Sequence, residues 1–326
     1  MTCRQLRPKV NNYLLTIERG EGYDLNRSLF ERLILKGYPH ETLTQQHRMR
    51  PEISALIREL SYPELVDADS TRNHPDIAGL TDNIIFIHHD SLEGDDVGIA
   101  DRRDMSATSS KYNLFEVEMI LKIVKYLGQQ GYGTDDLVIL TPYLGQLQKL
   151  RQALKKDNDP VLNDLDSHEL IRAGLINEAE AQLTKKSVRL ATIGEYSSWL
   201  CFYSDMNKSS DNYQGEECDI VVVSLTRSNL KSDIGFMFSP ERLNVLLSRS
   251  RNGLILIGNM NTFRNARKGK ERWSRLLNIL SHGKHIYEGL PVRCERHPNK
   301  IAILRQSEDF DTACPDGGCD APWYVS

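Results

Sequence analysis

No stretch of this 326-residue chain approaches the length of an apolar membrane span. The opening residues, Met-Thr-Cys-Arg-Gln-Leu-Arg-Pro-Lys-Val, lack the apolar core of a secretion signal. The pattern G-x-x-x-x-G-K-[ST] occurs nowhere, so the chain carries no glycine-rich loop of the type that cradles phosphates. The dinucleotide fingerprint G-x-G-x-x-G is missing too, which leaves little room for a doubly wound dinucleotide enzyme. There is no basic excess: Lys and Arg total 41 against 45 Asp and Glu, a net charge of −4 with a pI near 6.2. That excludes a strongly basic nucleic-acid coat, although a basic groove can still sit on an acidic protein. No internal repeat is visible. Three of the six cysteines, Cys3, Cys201 and Cys218, are scattered, as in a reduced intracellular protein.

What is present suits a globular α/β fold. The chain is 40% hydrophobic and 26% charged, enough for a sizeable core. Short apolar runs at 84–88, 137–140, 187–193, 219–225 and 254–258 read as strands. Between them lie amphipathic stretches that read as helices: 24–36 capped by Asp24 or Asn26, one beginning near Pro51, Asn113 to Leu127, Gly145 to Lys155, 240–250 and 262–280. Residues 157–186 are polar and read as a surface excursion. This alternation argues for a parallel sheet covered on both faces. Sites in such sheets are expected at the carboxyl ends of the strands, and the polar clusters are assigned there.

Four clusters stand out: Gln5-Leu6-Arg7-Pro8; Gln46-His47-Arg48-Met49-Arg50-Pro51; Gln214-Gly215-Glu216-Glu217-Cys218-Asp219; and Asn244 to Arg251. Each alone is weak, since a lone surface Arg is usually only solvated. Together with Thr141-Pro142-Tyr143-Leu144-Gly145-Gln146, they resemble motifs III through VI of superfamily 1 helicases, in the family's order. The most similar group contains the nonsense-mediated-decay helicase and senataxin. The resemblance runs from about residue 4 to 290. The Cys/His tail narrows it toward members followed by NF-X-type zinc fingers, a subgroup linked to RNA silencing and heterochromatin.

The resemblance implies a RecA-like α/β domain of the phosphate-loop NTPase type, the second of two motor domains. The parent would couple ATP hydrolysis to movement on single-stranded RNA or DNA, in the nucleus or cytoplasm, with RNA-silencing proteins as partners. By the same resemblance, Arg48 and Arg249 reach the γ-phosphate, where a rigid, always-charged guanidinium fork suits the charge that builds during phosphoryl transfer. Gln5 senses that phosphate and positions water. His47 lies against adenine, where relatives often carry Tyr. Gln214, Gly215 and Glu217 line the nucleotide, Glu217 near the ribose. Thr141, Pro142, Tyr143 and Gln146 face the nucleic-acid backbone, while Arg227 and Asn229 couple that face to the ATP cleft. ATP and Mg are expected to be held mainly by a first motor domain. A scaffold derived from the helicase, non-catalytic but nucleic-acid-binding, is the rival reading.

Two departures carry expectations of their own. Relatives open motif III with Gly-Asp, where this chain has Met1-Thr2, so 1–40 reads as a remnant of the first motor domain and 41–290 as the second. Relatives also run unbroken from Ala-Thr-Ile into Asp-Asn-Tyr-Gln-Gly. Here the 17 residues Gly194 to Ser210 intervene, with Trp199, Leu200, Cys201, Phe202 and Tyr203 among them. The codons GGTGAGTAT for Gly-Glu-Tyr would contain a splice donor, so a translated intron stands beside a genuine insertion. The carboxyl end, Trp323-Tyr324-Val325-Ser326, can be encoded with a similar donor, which would cut short a zinc-finger region beginning at 291–326. In that region Cys294, His297, Cys314 and Cys319 supply four soft ligands of the kind zinc takes tetrahedrally.

With no phosphate loop, the 326-residue chain alone is expected to show no ATP turnover. A coupled phosphate-release assay checks this, and turnover that disappears in Arg48→Ala would overturn it.

Overall fold

The computed structural model describes residues 10, 12–96, 110–133, 135–156, 162–164, 188–192, 217–294 and 297–311. At its centre lies a seven-stranded, all-parallel sheet in the order β11-β3-β10-β9-β6-β8-β7. The five longer strands are β3 (Ile84–His88), β6 (Leu137–Thr141), β8 (Val188–Thr192), β9 (Cys218–Ser224) and β10 (Ser250–Gly258). Short strands β7 (Leu162–Asp164) and β11 (Ile286–Tyr287) close the two edges. The expected RecA-like sheet is therefore present, and it begins as the sequence suggests, with near-continuous Val, Ile and Leu in strands buried on both faces.

Alternate residues of each central strand feed two separate cores. Ile85, Ile87, Leu137, Ile139, Ile220, Val222, Ile255 and Ile257 point to one face. There they meet α3 (Leu114–Gln129) and α4 (Leu144–Lys156). Ile84, Phe86, Val138, Leu140, Val221, Val223, Leu254 and Leu256 point to the other. That face is covered by α2 (Pro51–Leu60), α5 (Pro240–Leu247) and α7 (Lys270–His282). Each fully buried aliphatic side chain contributes about 1.5–3 kcal/mol, so the two faces together set the sheet's register.

Several boundaries differ from the sequence reading. The helix expected over 24–36 is α1 (Leu29–Leu35), capped by Ser28, whose hydroxyl accepts from the Glu31 N–H. Asp24 instead takes a left-handed turn. None of α1 is buried: Leu29 and Leu35 are exposed, and Leu33 and Ile34 are half-buried. The stretch 262–280 is two helices, α6 (Met260–Arg264) and α7, because Gly269 turns at φ +75° between them. Ser250 belongs to strand β10, not to the preceding helix.

Four short strands and a tail complete the fold. Gln45–Gln46 (β1) pairs with Val66–Asp67 (β2), and Gly94–Asp96 (β4) with Ser110–Tyr112 (β5). The tail forms a hairpin of β12 (Leu290–Cys294) and β13 (His297–Leu304), followed by a 3-10 turn at Ser307–Asp311. Leu290, Val292, Leu304 and Phe310 join the α3 core, so the packed unit runs past residue 290.

Trp273 anchors the other face. It is buried, lies 4.2 Å from Phe263 by ring centroids, and donates its indole N–H to the Met237 carbonyl at 2.9 Å. Trp273→Ala is expected to lower unfolding stability by about 3–5 kcal/mol. Urea unfolding checks this, and a loss below about 1 kcal/mol would contradict the packing described.

Candidate functional site

The sheet separates the candidate residues into two groups, one at each end of the strands. The first group lies at the amino ends, beside the starts of β9 and β10. The loop between β1 and α2 presents Arg48, and Gln46 shapes that loop. The Gln46 side-chain Oε1 accepts from the N–H groups of Arg48 (2.9 Å) and Met49 (2.8 Å), while its Nε2 donates to the Met49 carbonyl and Asp67, both at 2.7 Å. Arg50 is buried and holds the loop to the sheet through the carbonyl of Asn252 and the carboxylate of Asp76. Pro51 then starts α2, as its missing N–H allows at a helix's first position.

Arg48 projects from this support with its side chain 30% exposed. It donates from Nε to Glu217 at 2.6 Å and from Nη1 to the Ser248 carbonyl at 2.9 Å. Arg249 follows directly, and its own carbonyl accepts from the Cys218 N–H at 3.1 Å. Arg251 approaches the other Glu217 oxygen at 3.6 Å and Asp219 at 3.8 Å. Two arginine side chains, Arg48 and Arg251, thus converge on one half-exposed carboxylate, with the Arg249 main chain bonded to the next residue, Cys218. His47 is exposed beside them. Gln5, Gln214 and Gly215 lie outside the described residues.

The second group lies at the carboxyl ends. Thr141 and Gln146 are fully buried. Gln146 accepts from the Asn113 N–H (2.8 Å) and donates to Ser224 (2.9 Å). Pro142 lies between Thr141 and Tyr143 at the exit of β6, and Thr141 Oγ1 lies 3.3 Å from Thr226 Oγ1. Tyr143 is buried, packs 4.5 Å from Phe236 by ring centroids, and its hydroxyl accepts from Arg227 at 3.1 Å. Arg227, its side chain 6% exposed, also donates to Glu93 and Asp233, each at 3.0 Å. Burial works against that charge, but Tyr143, Glu93 and Asp233 outweigh it and make Arg227 harder to deprotonate than a free arginine. Asn229 donates to Glu93 (3.0 Å) and the Asp233 carbonyl (2.8 Å).

The expectation that all clusters sit at carboxyl ends therefore holds for this second group and fails for Arg48, Glu217 and Arg249. The reason is topological: these residues immediately precede β9 and β10 or pack on their starts. Sequence reasoning also missed Glu116, at the heart of the carboxyl-end network. Its fully buried carboxylate accepts from Ser224 Oγ (2.5 Å) and the Thr226 N–H (2.9 Å), with His89 Nε2 at 3.1 Å. Thr226 is held at φ +67°, a left-handed conformation that a β-branched residue strongly disfavours. A signal existed: Glu116 shares the helical phase of Ile120 and Ile123, so it falls on the inward stripe of α3.

The tail's candidate ligands are less assembled. Cys294 is buried in the α3 core, opposite His297 in the hairpin register. Cys314 and Cys319 lie outside the described residues. Among the described residues no group of three or more metal-ligating side chains occurs. A single thiol among aliphatic side chains does not by itself fit zinc.

With this geometry in view, comparison with known proteins decides the family. The AAA domain family matches residues 25–261. The chain belongs to the superfamily 1 helicases of the nonsense-mediated-decay and senataxin group. This helicase domain is 30% identical over 319 residues to the mouse NFX1-type zinc finger-containing protein 1, covering 98% of this chain and 14% of that protein. It is 32% identical over 257 residues to the Schizosaccharomyces pombe helicase required for RNAi-mediated heterochromatin assembly 1, covering 78% and 20%. Regulator of nonsense transcripts 1 of Dictyostelium discoideum is 27% identical over 282 residues, covering 84% and 17%. The helicase domain thus spans a fifth or less of these three relatives. No described helix is long and apolar enough to cross a membrane.

Asp67, under the Arg48 loop, offers a test of that support. Burial works against its charge, yet hydrogen bonds from Ser54, Gln46 and Arg58 outweigh burial and hold its carboxyl below the usual range. A depressed carboxyl stabilises the fold above its ordinary pKa of about 3.9, and that stability is lost as pH falls through the folded value. Asp67→Asn is expected to be less stable at pH 7 and to show a flatter loss of stability below about pH 4. Urea unfolding between those limits checks it; an unchanged acid limb would contradict the assignment.

Proposed function

We propose that this chain is the second motor domain of an ATP-dependent helicase that moves along single-stranded RNA or DNA. The observation that carries the reading is the convergence of Arg48, Glu217 and the Ser248–Arg249 main chain, from segments 169 and 200 residues apart. ATP with its Mg sits against a facing motor domain that bears the phosphate loop. Arg48 and Arg249 reach its γ-phosphate, His47 lies by the adenine, and Glu217, Gln214 and Gly215 border the nucleotide. Gln5 senses the γ-phosphate. Bound ATP supplies the phosphoryl group and the driving free energy.

The Arg48–Glu217 pair supports this role. It is partly exposed, so it contributes only about 0–1 kcal/mol. A triphosphate, with more charge and more acceptor oxygens, displaces Glu217 readily. Glu217 thus keeps Arg48 oriented until the nucleotide arrives. On the other edge, Thr141, Pro142, Tyr143 and Gln146 shape the strand-facing loops from beneath, and Arg227 with Asn229 braces them.

Residues 1–40 then belong to the first motor domain, Gly194 to Ser210 interrupt motif V as an insertion or a translated intron, and 291–326 lead toward a zinc-binding region. A role in RNA silencing or RNA surveillance, in nucleus or cytoplasm, accords with the names of the relatives. The lack of a phosphate loop in the chain favours one rival, a non-catalytic nucleic-acid-binding scaffold.

The decisive experiment pairs this chain with a phosphate-loop motor domain in one polypeptide. Arg48→Ala and Arg249→Ala are each expected to cut nucleic-acid-stimulated ATP turnover about 1000-fold, with oligonucleotide binding nearly unchanged. Turnover retained in both variants would overturn the motor reading.

A further inference from the structure

The tail hairpin leaves one hydrogen-bonding edge open. Antiparallel partners alternate: one pair exchanges both main-chain bonds, and the next turns its N–H and C=O outward. In β12 the outward residues are identified by what they bond. The Thr81 N–H donates to the Pro291 carbonyl at 3.2 Å, and the Arg293 N–H donates to the Gly79 carbonyl at 2.8 Å. Both groups therefore face away from β13. Across the ladder, Pro291 stands opposite Ile303, and Arg293 opposite Ile301. The N–H and C=O groups of Ile301 and Ile303 accordingly point to the far side of β13. Among the described residues nothing bonds to those four groups, and β13 has no second neighbour.

Side chains give this edge its character. Ala302 and Leu304 pack on the α3 core, so Ile301 and Ile303 lie on the other face of the hairpin. Ile301 is 62% exposed, and Ile303 is half-buried. Arg293, opposite Ile301, is exposed. It lies within electrostatic reach of Asp76, a carboxylate that already accepts from Arg50 and Asn83. Arg305, just past the strand, is exposed and is shared with Glu288 at 3.1 Å. In sequence, residues 290–305 hold Arg293, Arg296, Lys300 and Arg305 against a single acid, Glu295, in a chain whose net charge is −4.

We propose that the outer edge of β13 is a docking site for an acidic, extended peptide of a partner protein, which adds a third strand to the hairpin. The peptide main chain takes the N–H and C=O groups of Ile301 and Ile303. An apolar side chain of the peptide lies on Ile301, and its carboxylates face Arg293 and Arg305. Charge selects this occupant. A second copy of the same edge would set cations against cations, which disfavours pairing. A nucleic-acid strand could meet the arginines but carries no alternating N–H and C=O groups to match the open edge. The site stands apart from the motor reading, because none of its residues belongs to the nucleotide group or the strand-facing group.

Fluorescence anisotropy with the 326-residue chain and the labelled peptide Asp-Glu-Val-Thr-Val-Glu-Asp tests the proposal. Saturable binding is expected, weaker at high salt. Ile303→Pro removes an outward N–H and spares the bonds to β12, which Ala302 and Leu304 make. It is expected to weaken binding about 10-fold with little change in thermal melting. Arg293→Ala is expected to weaken binding about 3-fold. N-methylation of the three central peptide residues keeps every charge and leaves the protein untouched. It is expected to weaken binding at least about 10-fold, and it decides the matter should Ile303→Pro fail to fold. No binding of the peptide overturns the proposal, as does binding that survives both Ile303→Pro and N-methylation undiminished. Concentration-dependent dimers in sedimentation that Ile303→Pro abolishes would assign the edge to a second copy instead. Displacement of the peptide by oligouridylate would assign it to nucleic acid, and either result overturns the peptide site while leaving the motor reading standing.

Discussion

The polarity of a fully parallel sheet is the constraint from which the rest of this molecule follows. Every central strand runs the same way, so every strand entrance lies on one edge and every exit on the other. Alternate side chains sink into two cores, which fixes the register and prevents either edge from sliding. The entrances of β9 and β10 then deliver Glu217 and Arg249 side by side, next to the loop carrying Arg48. The exits deliver Thr141, Arg227 and Asn229. A five-residue strand spans about 17 Å, so the two groups are held apart by a distance that no single side chain bridges.

The edges differ in how they treat charge. At the exits, carboxylates and guanidinium are buried and multiply hydrogen-bonded: Glu116 to Ser224 and Thr226, Arg227 to Tyr143, Glu93 and Asp233. Removing one partner from such a set leaves another group unsatisfied in low dielectric, which is costly. The network is therefore suited to holding geometry, including the left-handed Thr226. At the entrances, Arg48, Glu217 and Arg251 are paired but partly exposed, and water screens them. Charges that must change partners belong in the second setting. The same residue type, arginine, is enclosed by three fixed partners at position 227 and held by a partly exposed carboxylate at position 48.

How far the sequence foretold this depends on whether the signal was local. The strands were legible because burial on both faces leaves unbroken apolar runs, as in Val221-Val222-Val223. The family was legible from the order and spacing of the motifs. Which edge each motif occupies was not, because that depends on the place of Glu217 and Arg249 ahead of their strands, a matter of one or two residues. Ser250 was read as helix because Leu246 and Leu247 extend the apolar run toward it, although β10 starts there. The hairpin at 290–304 was hidden among charged residues, since only Leu290, Val292 and Leu304 carry its inner face. Glu116 and Glu93 were missed for a related reason: an acid in a helix's first turn or a loop resembles a solvated one until its donors, distant in sequence, are brought to it.

Helix α5 resolves how separated edges can act together. It begins just after Phe238, at the strand exits, and ends at Ser248, whose carbonyl holds Arg48 at the entrances. Eight residues of helix make a rod of about 12 Å, buried along Leu243, Leu246 and Leu247. Its first end is tied to the exit network through Phe236, which packs on Tyr143 and lies under the Arg242 guanidinium at 4.4 Å. A packed rod transmits displacement more readily than it absorbs it, because its core contacts resist partial shifts. The exit loops and the carbonyl that orients Arg48 therefore lie at the two ends of one packed helix, and the contact at its far end, with Glu217, is the weak, half-exposed one.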